Sequence, residues 1–152
     1  MSSDFPGSVA ALPGPFIYTR PALAATFLPV GQMLQIDRVT EISPDRIVCE
    51  MDIAKHWVFP LHFPSDPVFP GSLLIEAAGQ AVAVLAWHMG FRGKPRLVKV
   101  TARFESGVLP QDETLRLVAA VRRRKSAFCG IVDFFGSGRA VAQIEPMVII
   151  IS

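Results

Sequence analysis

The chain has little charge and almost no cysteine. Only 18% of its 152 residues are Asp, Glu, Lys or Arg, against roughly 25% in a typical soluble domain. The net charge of +2 is too small to point to general nucleic-acid binding. Cys49 and Cys129 stand far apart without metal-ligand spacing. That excludes a disulfide framework and a CxxC-type metal site, and reads as two buried, reduced thiols of a cytosolic protein. No metal and no cofactor is expected. Also missing are an internal repeat, an interior linker and an unbroken apolar run long enough to cross a membrane. The first residues, MSSDFPGSVAALPGPF, lack a basic start followed by an apolar run, so no secretory signal is expected.

What the chain does have is apolar side chain, 51% of all residues. One domain of this length buries a real core but cannot hide that much, which predicts a buried face between copies of the chain. The expected organisation is an N-terminal arm, residues 1–20, rich in Pro and Gly, followed by a single cytoplasmic domain over 21–152.

Pro21 to Thr26 fits a short helix with proline near its start. Met33 to Ile42 and Arg46 to Asp52 read as strands joined by a turn at Ser43-Pro44-Asp45. His56 to Pro70 is a loop stiffened by Pro60, Pro64, Pro67 and Pro70. Ser72 to Met89 is a helix stopped by Gly90. Four more strands follow, Arg96 to Phe104, Thr114 to Arg124, Ser126 to Phe135 and Arg139 to Ile151. Asp112-Glu113 makes a polar turn, and Gly136-Ser137-Gly138 a hairpin turn. The helix is apolar around nearly its whole circumference, so it is buried. The fold class is therefore α+β, a mostly antiparallel sheet wrapped around one central helix.

Ser72, Glu76 and Gln80 fall at i, i+4 and i+8 and form one polar stripe on that dry helix. An ionised carboxylate taken out of water costs several kcal/mol unless it is paired. Gln80, one turn on, can donate a hydrogen bond to Glu76. A buried glutamate bonded to loop backbone, with no chemistry, fits the same pattern. His62 is distinctive because its loop leads straight into this helix, whereas His56 and His88 read as surface or capping histidines. Gly71 stands at the helix N-terminus, where N–H groups are unsatisfied and the dipole is positive. A glycine there lets a carbonyl oxygen approach, as an oxyanion site requires. A base on a rigid loop and an acid on a buried helix are the parts of proton transfer in a dry pocket.

The stretch His62-Phe63-Pro64, Asp66-Pro67-Val68, Pro70-Gly71, Glu76, Gln80 resembles the active-site motif of the β-hydroxyacyl-[acyl carrier protein] dehydratases. The separation of 14 positions between His62 and Glu76 is similar to that family's. Met33-Leu34-Gln35-Ile36-Asp37-Arg38-Val39 looks like its first-strand segment, and Ala102-Arg103-Phe104 through Val108-Leu109-Pro110 like a later one. The resemblance implies the hotdog fold and dehydration of a β-hydroxyacyl thioester in fatty-acid, polyketide or specialised-lipid synthesis. It implies that His62 removes the α-proton, Glu76 protonates the departing hydroxyl and the Gly71 N–H polarises the thioester carbonyl. It also implies that the Val68 carbonyl sets the His62 tautomer and Gln80 holds Glu76. In that family a site draws its two catalytic residues from different protomers, so a homodimer or an assembly of dimers is expected. Leu61 departs from the small residue usual before the histidine. Glu at position 76 is similar to the branch that only dehydrates, whereas Asp66-Pro67-Val68 is similar to the branch that also isomerises.

Arg122, Arg123, Arg124 and Lys125 form a basic cluster at a strand end, and Arg92, Lys94, Arg96 and Lys99 a second group. A solvated turn is one reading of the first cluster. Docking of the acidic acyl carrier protein, which the resemblance implies, is the other and the favoured one. A hotdog acyl thioesterase and a non-catalytic carrier-binding homologue are the competing functions.

Overall fold

A computed structural model describes residues 16–152. Most of the expected arm, residues 1–15, lies outside them. Residues 16–20, expected to belong to the arm, are built into the domain. Tyr18–Thr19 form a two-residue strand, β1, paired antiparallel to the next strand, and Arg20–Ala24 form a short helix, α1. The remaining strands are β2 (Arg38–Ser43), β3 (Arg46–Asp52), β4 (Pro95–Phe104), β5 (Thr114–Arg124), β6 (Ala127–Gly136) and β7 (Arg139–Ile151). All pairings are antiparallel, in the order β1-β2-β3-β5-β6-β7-β4. The long helix α2 (Gly71–His88) lies against this curled sheet. This is the hotdog arrangement.

Alternation explains the sheet. In β5, Leu115, Leu117, Ala119 and Val121 are buried, and in β6 Phe128, Gly130, Val132, Phe134 and Gly136 answer them. A period of two places one face of each strand against the helix. The registers pair large with small, Leu115 with Gly136 and Val121 with Gly130. A Cβ at Gly130 would come within 3.0 Å of Val82 on α2, so this glycine lets the helix approach. Ala77, Ala78, Ala81, Ala83 and Ala86 supply the same closeness from the helix side. Pro146 lacks an N–H for the ladder. It sits where β7 slips register against both β6 and β4, between Ile144 and Met147.

Helix α2 ends as the sequence predicts. Gly90 takes φ +97, its N–H donates to Trp87 O, and the Phe91 N–H donates back to Ala86 O. That pair of bonds is a Schellman cap. Ser137 and Gly138 both have positive φ, as a two-residue type I′ hairpin requires. One strand differs from expectation. Met33 to Ile36 does not join the ladder as the start of β2. The ladder is approached only at Asp37, whose N–H donates to Glu50 O at 3.0 Å. Gly31–Met33 form a 3₁₀ turn, and the Gln35 N–H donates to the Gln80 side chain instead of to a strand. Cys49 is fully buried, and burial pushes its thiol well above the ordinary range, whereas Cys129 is only half-buried, unlike the expectation for it.

Candidate active site

The loop before α2 is pinned at both ends. Phe63 and Asp66 exchange backbone hydrogen bonds around Pro64-Ser65, and the Phe69 N–H donates to Val108 O. Within this frame the Val68 N–H donates to His62 O at 2.8 Å, and His62 Nδ1 lies 2.9 Å from Val68 O. A carbonyl can only accept, so Nδ1 carries the proton and Nε2 keeps its lone pair. The ring stacks on Phe63, centroids 4.2 Å apart. His62 is half-buried: held in place, yet open to a proton donor.

Glu76 is half-buried on α2, not enclosed as the all-apolar helix suggested. The polar stripe is graded, with Ser72 exposed and Gln80 only 2% exposed. Gln80 Nε2 donates to Glu76 Oε2 at 2.9 Å and to Met33 O at 2.7 Å. Glu76 lines a cavity of about 420 Å³. Ile75, Gly79, Gln80 and Ala83 of α2 form its floor, Phe27, Leu28 and Pro29 one wall, and Arg96, Leu97, Met147 and Ile149 the others. His62 is not among the lining residues.

Gly71 opens α2. The side where a Cβ would project is taken by the Phe104 ring, whose tip would lie 2.7 Å away. A side chain at this position would push the half-exposed Phe104 ring aside. Arg122, Arg123, Arg124 and Lys125 are all exposed at the β5–β6 hairpin. The three arginines line a separate groove of about 630 Å³ with Pro44 and Asp45. Arg96, from the second basic group, borders the Glu76 cavity. Among the described residues no three His, Cys, Asp or Glu side chains converge.

Two residues at the site, Gln35 and His56, were missed by sequence reasoning. Gln35 and Gln80 are the only buried polar residues of the described chain, and they are joined by a hydrogen bond of 2.8 Å. His56 is not a surface histidine. It is half-buried against Trp57, Phe59 and Phe69, with both ring nitrogens bonded. Burial first, and the charge of Arg20 second, hold it below the ordinary histidine range. A lone glutamine in the apolar run Met33 to Val39 was the available signal for Gln35; nothing comparable marks His56. His88 is exposed and shares a hydrogen bond with the Tyr18 hydroxyl, as a surface or capping histidine would.

The FabA-like domain family matches residues 28–145. The 3-hydroxyacyl-[acyl-carrier-protein] dehydratase FabZ of Syntrophobacter fumaroxidans is 34% identical over 119 residues, 74% of this chain and 80% of that one. Among solved structures, the dehydratase heterocomplex ApeI:P from Xenorhabdus doucetiae superposes with TM-score 0.69 at 16% identity, covering 83% and 88% of the two chains. A hypothetical thioesterase with coenzyme A from Streptococcus pneumoniae gives 0.61 at 9% identity, covering 75% and 84%. At such identities these last two show the hotdog fold alone. The family match and the FabZ likeness agree with the histidine-to-glutamine motif at positions 62 to 80: the chain belongs to the FabA-like family of hotdog-fold thioester dehydratases.

Proposed function

We propose that this enzyme removes water from a β-hydroxyacyl thioester carried on acyl carrier protein, giving the trans-2-enoyl thioester. The observation that carries the reading is the pair of fixed side chains in register with the family's motif. His62 has its Nδ1 proton committed to Val68 O and Nε2 free to take the α-proton. Glu76 is oriented by Gln80 beside an apolar cavity. As the α-proton leaves, negative charge grows on the thioester oxygen. The Gly71 N–H, at the positive end of α2, would bind it there. Glu76 then gives its proton to the β-hydroxyl, the C–O bond breaks and water departs. A FabZ relative names the acyl carrier protein as the form of its substrate, and the exposed cluster Arg122–Lys125 supplies a surface of opposite sign.

The site would be completed by a second copy. Among the described residues, edge strand β4 has no partner on its outer side, and it exposes Leu97, Val98 and Phe104. An open apolar edge is an invitation to pair. A homodimer joined there would bring the partner copy's His62 loop towards Glu76. No helix among the described residues is long and apolar enough to cross a membrane, which suits a cytoplasmic enzyme.

Following enoyl absorbance with a β-hydroxyacyl thioester tests the reaction, and free thiol release would indicate a thioesterase instead. His62→Ala and Glu76→Gln should each abolish it. Mixed by co-expression, these two inactive variants should recover about a quarter of wild-type turnover, because half the dimers are mixed and each keeps one intact site. No recovery would place both residues in one protomer's site.

A further inference from the structure

We propose that His56 is a positioning residue for Glu76, acting through Gln35 and Gln80 to decide which carboxyl oxygen carries the transferable proton. The inference rests on the dehydratase reading for the reaction, but the frame itself is read from hydrogen bonds.

The frame begins at a backbone N–H, which can only donate. Val58 N–H donates to His56 Nδ1 at 3.1 Å, so the ring proton sits on Nε2. Nε2–H then donates to Gln35 Oε1 at 2.9 Å. With its oxygen taken, the Gln35 amide turns both N–H groups to carbonyls, Gln32 O at 2.9 Å and Met33 O at 3.2 Å. Those bonds fix the loop that carries the Gln35 N–H and the Met33 carbonyl. The Gln35 N–H donates to Gln80 Oε1 at 2.8 Å, and Met33 O accepts from Gln80 Nε2. Gln80 therefore cannot flip, and the one N–H it has left points at Glu76 Oε2. No buried side-chain nitrogen or oxygen among the described residues is left without a partner.

The direction of the chain matters. One Gln80 N–H donates back to Met33 O and the other donates to Glu76 Oε2, so a fixed donor faces Oε2. A neutral carboxyl accepts best through its carbonyl oxygen, so a donor fixed on Oε2 favours the transferable proton on Oε1. In the proposed step Oε1–H gives its proton to the β-hydroxyl as the C–O bond breaks, and the carboxylate left behind keeps the Gln80 hydrogen bond. His56 does not touch substrate; it keeps this polarity from relaxing.

Two amide variants separate the two ring nitrogens. In His56→Asn the short amide keeps an acceptor for Val58 N–H but cannot reach Gln35. In His56→Gln the longer amide restores the donor to Gln35. His56→Asn should lower kcat about tenfold with KM within roughly twofold, and His56→Gln should recover most of the loss. Nitrogen-15 NMR should show His56 as the Nε2–H tautomer. It should also show Gln80 side-chain amide protons that exchange about tenfold faster in His56→Asn than in the wild type. Wild-type kcat in a folded His56→Asn, a change in KM alone, or an Nδ1–H tautomer would each overturn the proposal. A wild-type protein that dehydrates no β-hydroxyacyl thioester would instead sink the functional reading. The tautomer and exchange measurements would then decide the frame without it.

Discussion

His56 and His62 stand six residues apart in one proline-rich loop, and their surroundings give them opposite chemistry. His56 is boxed by three aromatic rings and has a partner at each nitrogen. Among the described residues, His62 has a fixed partner only at Nδ1 and one ring stacked on it. A histidine with both nitrogens committed holds structure in place. One with a single committed nitrogen is oriented and still free to accept a proton. The difference lies in the bonds, not in the residue type or its place in the loop.

The sharpest way to break that comparison is to remove each ring in turn. His62→Ala deletes the base and should cost about 10³-fold in kcat on a β-hydroxyacyl thioester, within the usual range for general acid–base catalysis. The loss in His56→Asn, about tenfold, should be smaller by two orders of magnitude. Equal losses would mean that both rings act on substrate, or neither does. Glu76→Gln should match His62→Ala, because it removes the only proton the frame presents to the hydroxyl.

The same two histidines show how far the sequence could be read. The position of His62 within a run of Pro, Gly, Glu and Gln was legible because the motif is local: loop, helix start and helix face follow one another in the chain. Strands β5, β6 and β7 were legible within a residue, since their apolar alternation has the period of the pleat. His56 was not legible. Its partner Gln35 is 21 residues away, and no pattern couples a loop histidine to a glutamine in a run that looks like strand. Met33 to Ile36 was misjudged for the same reason. Its alternation suits a ladder, but the Gln35 N–H is claimed by a side chain of α2. The placement of Arg96 beside Glu76 also had to wait for the structure, because β4 reaches the cavity only by crossing to the far edge of the sheet.

A smaller effect separates the two basic groups. Reversing Arg123 and Arg124 to Glu should raise KM about tenfold for the acyl carrier substrate, more steeply at low salt, and leave a small thioester unaffected. Stability should change little, since both side chains are exposed at a hairpin tip. Arg96→Glu borders the cavity and should slow both substrates. If the arginine pair instead affects both equally, docking at the β5–β6 hairpin is wrong and Arg96 becomes the better carrier contact.

The smallest effect is a slope in stability with pH, and it belongs to His56. Its folded value is lowered, by burial first and by the Arg20 charge second. The unfolded chain takes up a proton near pH 6.5, while the folded chain resists until lower pH. Between those two points the unfolded state binds more protons, so stability falls as pH falls. Above about pH 6.5 neither state is charged at this residue and the contribution is level. Protonation would also cost the Val58 N–H its acceptor at Nδ1. Urea unfolding between pH 5.5 and 8, above the range in which unfolded carboxylates take up protons, should therefore show a decline on the acid side that disappears in His56→Gln. It should shrink in Arg20→Gln, where the second cause is gone, even though Arg20 also pairs with Asp37 at 3.2 Å. His62→Ala is the control and should keep the decline. A slope that survives His56→Gln would assign it to other groups. It would also remove the main solution signature that sets the enclosed histidine apart from the open one.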